Sequence, residues 1–287
     1  MKHAVVDTHV HLYDPAQIHY GWMEGKPPLQ SRHLLQELDA ARGDVEIAGI
    51  VWIEVGSDPG QHLEEAKLVA ELVGHDPRVK GMVASAPLER GDDIQADLEQ
   101  LSAMPLVKGI RRLLQNESDA AFCLQPSFIE GVRLLPRFGL SFDLCIYHPQ
   151  LANVIELVRR CPDVRFMLDH IGKPGIKDGL IEPWRREIKE LASLPNVYCK
   201  ISGVITEADH ANWNRDQLRP YIRHVAESFG TDRIVFGSDW PVSELTHRYA
   251  EWVEIVAEAL GDLNADEQRR LFRDNATAFY RLRDGNT

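Results

Sequence analysis

Short runs of apolar, β-branched residues alternate along this chain with longer amphipathic stretches, and this alternation limits the fold more than any other feature. Eight runs have the length and composition of buried strands. They are 4–10, 47–55, 80–87, 106–113, 140–147, 164–170, 196–202 and 233–239. Spacers of helix length between buried strands predict right-handed βαβ units and a parallel sheet.

Amphipathic stretches with the length of helices separate these strands. They lie near 31–42, 61–75, 92–103, 126–137, 149–160, 182–193, 215–229 and 246–260, and a further helix near 264–273 closes the chain. Eight such units in 287 residues fit an α/β fold of the (β/α)₈ or TIM-barrel type. The alternative is a doubly wound open sheet, whose first turn often carries a glycine-rich phosphate loop. The first predicted strand is not followed by GxGxxG, which favours the barrel.

The chain has no linker, low-complexity tract or change of composition, so a single domain is expected over 1–287. The one long irregular stretch is 13–30, which five proline and glycine residues keep out of regular structure. This segment follows the first predicted strand and therefore lies at the C-terminal mouth of a barrel. Long segments at that mouth commonly carry function, so 13–30 is predicted to be an active-site loop.

Acidic residues outnumber basic ones, 44 against 32, and the net charge of −12 disfavours binding to nucleic acid or to anionic lipid. No apolar run is long enough for a transmembrane helix, and the N-terminus lacks the features of a signal peptide. A cytoplasmic protein without nucleic-acid or membrane partners is therefore expected. The four cysteines are widely spaced and are expected to be reduced core residues. A homo-oligomer is compatible with the sequence.

Ionisable residues are concentrated at the predicted C-terminal ends of the strands, where TIM-barrel enzymes carry their active sites. These residues are Asp7, His9, His11, Glu54, Arg111, Arg112, His148, Asp169, His170, Lys173 and Asp239. Side chains two positions apart on a strand point the same way, so His9 and His11 can both face the barrel axis. Two imidazoles at this spacing suit one divalent metal ion.

Three of these side chains also have simpler interpretations. Asp239 follows the apolar run IVF, where a carboxylate is costly unless it is paired or functional, although it can also cap the next helix. His170, in LDHIGKP, is either a site residue or a core histidine bonded to the backbone. His148, in YHP, is either a site residue or a cap of the helix that follows.

The motifs DTHVHL, LDHIGKP and FGSDWP, together with His148, resemble the amidohydrolase superfamily, and the C-terminal DNATAFYRL is similar to its closing helix. Within that superfamily, LDHIGKP, CKISGVITEAD and FGSDWPV resemble a lactone-hydrolysing branch. This branch includes L-fuconolactonase-like sugar lactonases and 2-pyrone-4,6-dicarboxylate lactonase. The resemblance extends over essentially the whole chain and implies a (β/α)₈ barrel.

The resemblance also implies a metal site. The ligands that correspond in this chain are His9, His11, His148, His170 and Asp239. Dinuclear members carry a bridging lysine or glutamate after the fourth strand, where this chain has Arg111 and Arg112, which argues against two ions. One divalent ion, with zinc as the first choice, is expected on His9, His11 and Asp239, with His170 as a further candidate. Relatives in the lactonase branch also work without metal, so a metal-independent site stays open.

The reaction expected from the resemblance is hydrolysis of the ring ester of a sugar lactone, an aldonolactone similar to L-fuconolactone, to the aldonic acid. Asp239 is the expected general base on water. His170 and His148 are expected to donate hydrogen bonds to the carbonyl oxygen as charge develops there. The predicted substrate-binding residues are Arg111, Glu54, Trp22, Lys173 and Trp240.

The substrate class depends partly on how many cations face the site. Arg111 and Arg112 are consecutive, so only one can point inward on a strand, and Arg111 is preferred. A single inward arginine suits a hydroxyl-rich lactone or one carboxylate, whereas a dicarboxylate would need several converging cations. Two other functions stay open: a zinc-dependent decarboxylase of aromatic or unsaturated carboxylic acids, and a non-catalytic binding barrel. The second fits poorly with so many ionisable residues at strand ends.

Overall fold

The computed structural model describes residues 4–283, which form a single parallel sheet of eight strands. The strands are β1 (Val5–Val10), β2 (Ile47–Ile53), β3 (Val79–Ser85), β4 (Val107–Arg111), β5 (Ser141–Leu144), β6 (Phe166–Leu168), β7 (Val197–Ile201) and β8 (Ile234–Phe236). Each strand pairs in parallel with the next one in the sequence. The prediction of a (β/α)₈ barrel is confirmed.

Backbone contacts between β1 and the residues that follow β8 bring the first and last strands together. The amide of His11 donates to the carbonyl of Trp240 at 2.8 Å, and the amide of Asp239 donates to the carbonyl of His9 at 2.9 Å. These bonds lie at the C-terminal end of the barrel. They hold the two segments that carry His9, His11 and Asp239 side by side.

The buried Asp7 carboxylate supports this junction from the side facing the helices. It accepts hydrogen bonds from the Ser238 amide at 2.8 Å and from the Tyr249 hydroxyl at 2.8 Å. A third bond comes from the amide of His9 at 3.1 Å. Asp7 therefore joins β1, β8 and the following helix, which satisfies a carboxylate that burial would otherwise penalise.

In the described part of the chain, seven helices lie between successive strands, and three follow β8. They are α1 (Leu35–Ala41), α2 (His62–Val73), α3 (Gln95–Ser102), α4 (Pro126–Leu134), α5 (Leu151–Arg160), α6 (Trp184–Ala192), α7 (Arg215–Phe229), α8 (Tyr249–Ala259), α9 (Ala265–Arg269) and α10 (Asn275–Tyr280). In α5, residues at helical spacing, such as Val154 and Val158, are buried, which is the pattern of a helix that covers a sheet. None of the helices within 4–283 is long and apolar enough to cross a bilayer.

The closing helix is longer than the predicted 264–273. A single π-helical turn, Arg270–Asp274, joins α9 to α10, so the helical segment continues to Tyr280. Asn275 has a side chain that often ends helices by competing for backbone groups. Here its amide instead donates to the carbonyls of Thr231 and Ile234, at 2.7 and 2.8 Å, and the helix continues past it.

The core has two apolar layers. The larger lies between the strands and the surrounding helices. The smaller includes Val51, Val83, Met167 and Val235 and fills the barrel interior, where α10 packs against it through Phe279 and Tyr280. Because Phe279 also contacts Arg165, just before β6, and Tyr198, near the start of β7, α10 closes the N-terminal end of the barrel. All four cysteines are buried, and no disulfide forms within 4–283.

Candidate active site

A cavity of about 590 Å³ opens at the C-terminal mouth of the barrel. We call it the central cavity. The residues that line it include His11, Arg111, Cys145, His170, Lys173, Glu207 and Asp239. Segment 13–30 contributes Trp22 and Lys26 to its wall, and the indole of Trp22 is fixed by a 2.7 Å hydrogen bond to the carbonyl of Val55. The central cavity is the place where TIM-barrel enzymes bind substrate.

Asp239 lies at the centre of the ionisable groups in this cavity. One of its carboxylate oxygens, Oδ1, is 3.4 Å from Nε2 of His11, 3.6 Å from Nε2 of His9 and 4.0 Å from Nε2 of His170. Burial alone would raise the pKa of Asp239, but His170, His11 and Lys173 hold it below its ordinary value. Asp239 is therefore an ionised carboxylate surrounded by imidazoles.

Part of the backbone at the site adopts the left-handed region. Asp239 has φ +64°, and His170 and Ile171 have φ +52° and +50°. Such angles are costly for residues other than glycine and persist where the surroundings enforce them, commonly at functional sites. They turn the chain sharply after β6 and β8, so that both side chains enter the cavity. For the same reason β6 and β8 are shorter than the predicted 164–170 and 233–239.

The hydrogen bond of His11 determines its tautomer. Its Nδ1 lies 3.0 Å from the carbonyl oxygen of Ile53, which can only accept, so Nδ1 carries the proton. In the neutral ring, Nε2 then presents a lone pair to the Asp239 carboxylate, and two acceptors face each other at 3.4 Å. Two ligands about 2.1 Å from a tetrahedral ion are about 3.4 Å apart. The donor set at His11 and Asp239 therefore fits a shared cation.

His9 lies between charged groups on both edges of its ring. Its Nδ1 is 3.3 Å from Nζ of Lys200 and 3.5 Å from Asp169, and its Nε2 is 3.3 Å from Nη1 of Arg111. Burial and the nearby Lys200 lower the pKa of His9 well below its ordinary value. The ring is therefore neutral at neutral pH and can accept a hydrogen bond or a metal ion.

His170 occupies a position that only a glycine neighbour allows. Its Nδ1 is 2.9 Å from the hydroxyl of Ser202. A Cβ at Gly203, which has φ +57°, would lie 2.4 Å from the same nitrogen. Burial lowers the pKa of His170 well below its ordinary value. Together His9, His170 and Asp239 bring one potential ligand atom each within 4.8 Å of the others.

Beneath the histidines, opposite charges alternate across the barrel. Arg111 pairs with Glu54 at 2.6 Å and with Asp169 at 3.3 Å. Lys200 pairs with Asp169 at 2.8 Å and with Asp143 at 3.0 Å. All five side chains are almost completely buried, so each charge depends on its partners. A second group of potential ligands, Cys145, Asp169 and His170, lies beside these cations, which disfavours a further metal ion there.

The predicted substrate-binding residues lie in three different surroundings. Arg111 faces the central cavity, whereas Arg112 points away from it to Glu89 and Glu117. Trp22 and Lys173 line the same cavity.

Glu54 and Trp240 are placed differently. Both carboxylate oxygens of Glu54 are engaged, one by Arg111 and the other by the amide of Gly56 at 2.7 Å. Trp240 is buried and packs on His33, outside the residues that line the cavity.

His148 lies apart from the other candidate ligands. It begins a 3₁₀ turn, His148–Gln150, after β5 and lines a neighbouring recess rather than the central cavity. Its Nδ1 is buried without a hydrogen-bond partner in the part of the chain that the structure describes.

Gln115, which the sequence analysis did not single out, accepts a 2.5 Å hydrogen bond from Lys173 and so holds that lysine at the cavity wall.

A family model described as amidohydrolase matches residues 6–282, which is nearly the entire chain. The chain belongs to the amidohydrolase family. Among curated relatives of this amidohydrolase, the uncharacterized protein y4mH of Sinorhizobium fredii is 31% identical over 97% of the chain and 99% of its own length. An L-fucono-1,5-lactonase of Burkholderia ambifaria is 32% identical over 76% of both chains.

A solved structure agrees with the fold of this amidohydrolase. The crystal structure of an amidohydrolase from Burkholderia multivorans with bound zinc superposes with a TM-score of 0.88 and is 27% identical. The alignment covers 98% of this chain and all of the other. The resemblance to the amidohydrolase superfamily that the sequence motifs indicate is thus confirmed.

Proposed function

We propose that this amidohydrolase hydrolyses the ring ester of a sugar lactone, with an aldonolactone similar to L-fuconolactone as the first candidate. The observation that carries the proposal is the position of Asp239. Its buried, ionised carboxylate lies among three imidazoles at the wall of a cavity that is wide enough for a sugar ring. The relatives named as L-fucono-1,5-lactonases support the substrate class.

Asp239 acts as the general base in this proposal. Oδ1 faces the histidines, which leaves Oδ2 for a water molecule in the cavity. The lowered pKa keeps the carboxylate ionised at neutral pH, which is the form that can take a proton from water. When the tetrahedral intermediate collapses, Asp239 returns this proton to the ring oxygen that leaves, so the base is restored at the end of each cycle.

The histidines stabilise the negative charge that develops on the substrate carbonyl oxygen. When the site holds no ion, the neutral imidazole of His170, whose Nδ1 is bonded to Ser202, donates a hydrogen bond from Nε2 to the carbonyl oxygen as negative charge builds there. His9, His11, His170 and Asp239 would hold one divalent ion, with zinc as the first choice. When bound, the ion would polarise the carbonyl and acidify water. Arg111, held by Glu54 and Asp169, keeps His9 in place from below.

The charged side chains of the central cavity that are not already paired favour a neutral substrate. Arg111 already donates from Nε to the Glu54 carboxylate, from Nη2 to the carbonyl of the same residue, and from Nη1 toward Asp169. It therefore has little capacity left for a substrate carboxylate. Half-buried Lys173 and exposed Lys26 are the other cations at the wall, and Glu207 lies nearby. A hydroxyl-rich ring suits this mixture better than a dicarboxylate, which would need several converging cations.

An assay of acid release tests the proposal. Purified protein is incubated with a panel of aldonolactones that vary in ring size and stereochemistry, and proton release is followed with a pH indicator and corrected for spontaneous hydrolysis. Turnover of one stereochemical series is the expected result. If folded protein leaves the whole panel untouched but releases carbon dioxide from an aromatic acid, a decarboxylase replaces the lactonase.

A further inference from the structure

A second recess of about 790 Å³ lies directly beside the central cavity. We call it the outer recess. Five residues line both spaces: Tyr147, Lys173, Thr206, Glu207 and His210. The two spaces are therefore separated by shared side chains, and a ligand bound in the central cavity can extend past Lys173 and Glu207 into the outer recess.

The combined space is larger than one lactone ring requires. Pockets of about 300–1,000 Å³ typically enclose ligands of drug size, and a monosaccharide lactone is considerably smaller than these. The central cavity alone has about 590 Å³. A single ring bound near Asp239 would thus leave the outer recess without contact to the substrate.

The lining of the outer recess carries mixed charges. Lys173 and Lys177 contribute positive charge, whereas Asp178, Glu207 and Asp209 contribute negative charge. Among the lysines and carboxylates, the acidic groups exceed the basic ones by one. This balance disfavours an anionic occupant and suits an uncharged group with many hydroxyls, which can hydrogen-bond to carboxylates and ammonium groups together.

Two side chains of the outer recess, Glu207 and Tyr147, can contact such an occupant. The Glu207 carboxylate accepts no hydrogen bond from the side chains of residues 4–283, and burial raises its pKa. Tyr147 is 40% exposed and offers an aromatic face, with Nζ of Lys173 5.2 Å from the ring centre. Such a ring presents an apolar surface beside polar groups, as a pyranose does.

We propose that the outer recess binds a second hexopyranose ring attached to the lactone, so that the preferred substrate is a glycosylated aldonolactone. This inference rests on the proposed lactone hydrolysis and specifies its substrate. The lactone ring lies beside Asp239, and the second ring lies on Tyr147 with hydroxyls directed to Glu207. No chemistry takes place in the outer recess, which contributes binding and specificity only.

Kinetics with matched substrates test this assignment. The aldonolactone that the enzyme hydrolyses fastest is compared with derivatives of the same lactone that carry a hexopyranose on each free hydroxyl. One derivative is expected to exceed the parent lactone in kcat/KM by about tenfold or more, mainly through a lower KM. If no derivative exceeds the parent lactone, the assignment is wrong.

A steric block provides the second part of the test. Ala211 is exposed and lines the outer recess but not the central cavity, so Ala211→Trp fills the recess from its rim. This variant is expected to lose the preference for the glycosylated lactone and to hydrolyse the parent at the wild-type rate, which also reports on folding. Ala120→Trp adds the same indole at an exposed alanine that lines neither space and should behave as wild type.

The remaining outcomes separate the two proposals. A preference that survives Ala211→Trp would show that the second ring binds elsewhere. If neither the parent lactone nor any derivative is hydrolysed, the proposed lactone hydrolysis is wrong and this assignment is wrong with it. Hydrolysis of the parent lactone alone would retain the proposed function and remove only the second ring.

Discussion

Nζ of Lys200 lies 2.8 Å from Oδ1 of Asp169, and neither side chain is exposed to solvent. The same ammonium group is 3.0 Å from Asp143 and 3.3 Å from Nδ1 of His9. Burial opposes the charged form of Lys200, but the two carboxylates raise its pKa above the ordinary value. Lys200 is therefore a permanent cation that neutralises the two aspartates beneath the candidate active site.

Replacement of Lys200 by methionine is expected to destabilise the fold strongly. The substitution retains much of the side-chain volume but leaves Asp143 and Asp169 without their shared cation. Removal of one partner from a buried ion pair typically costs about 3–5 kcal/mol of unfolding free energy. Urea denaturation of wild type and Lys200→Met measures this loss.

The double variant Lys200→Met, Asp143→Asn is the matched control. It removes one of the two uncompensated carboxylates, and it should recover part of the lost unfolding free energy. Tyr280 still has an acceptor there, because the asparagine carbonyl can take the 2.6 Å hydrogen bond that Tyr280 now donates to Asp143. A loss below about 1 kcal/mol in the single variant would contradict the electrostatic account.

The alternation of apolar runs and amphipathic stretches was sufficient to predict all eight strands and their order. The bounds were less accurate where the backbone leaves the strand for a functional reason. Residues 169–172 follow β6 in a turn with left-handed φ at His170 and Ile171, although LDHI reads as the continuation of a strand. Periodicity of hydrophobic residues contains no information about such turns.

The candidate site was predictable at strand ends and not within strands. His9, His11, His170 and Asp239 follow or end apolar runs, where a barrel predicts function. Lys200 and Asp143 lie inside apolar runs, were not singled out in the sequence analysis, and are 57 residues apart in the chain. The sequence does show charged residues within apolar strands, and a charge buried in a strand requires an oppositely charged partner. The sequence alone does not show that these two residues are partners.

Asp239→Asn is expected to remove most lactone turnover while the protein stays folded. The amide is nearly isosteric but cannot accept a proton from water, and loss of general acid–base catalysis typically lowers the rate by about 10²–10⁴-fold. The measurement is kcat on the best lactone, with circular dichroism to verify folding. Asp262→Asn, at an exposed carboxylate that pairs with Arg223, should leave the rate unchanged. Near-normal turnover by folded Asp239→Asn would exclude the residue as the base.

Metal content is expected to depend on His170 and not on His148. His170 shares the cluster of potential ligand atoms with His9 and Asp239, whereas His148 lies in the outer recess. Elemental analysis of purified wild type should find about one divalent ion per chain. This content should fall sharply in His170→Ala and stay at the wild-type level in His148→Ala. Equal losses in both variants would place His148 in the ligand set after all.

Glu65 is expected to make the stability of the protein depend on pH between about 4.5 and 8. Its carboxyl group is fully buried, accepts a 3.0 Å hydrogen bond from the amide of Val55, and contacts the hydroxyl of Tyr20 from segment 13–30. Burial, together with the negative charge of Glu54, raises the pKa of Glu65 to about 8. The folded protein therefore keeps this group protonated over a range in which the unfolded chain releases the proton.

The sign follows from this difference in bound protons. A raised folded-state pKa contributes stability that is fully present below the pKa of the unfolded chain and is lost as pH rises toward 8, by at most about 1.4 kcal/mol per pH unit. Glu65→Gln stays neutral and imitates the protonated acid, so its unfolding free energy should be similar to that of wild type near pH 5 and higher than that of wild type near pH 8. Urea denaturation across this range measures the unfolding free energy of both proteins.

The exposed neighbour Glu64 provides the control, because Glu64→Gln removes the same charge without changing a buried group and should follow the wild-type curve. If the unfolding free energy of Glu65→Gln changed with pH in the same way as that of wild type, Glu65 would titrate as an ordinary carboxylate. Tyr20 of segment 13–30 would then contact an ionised glutamate.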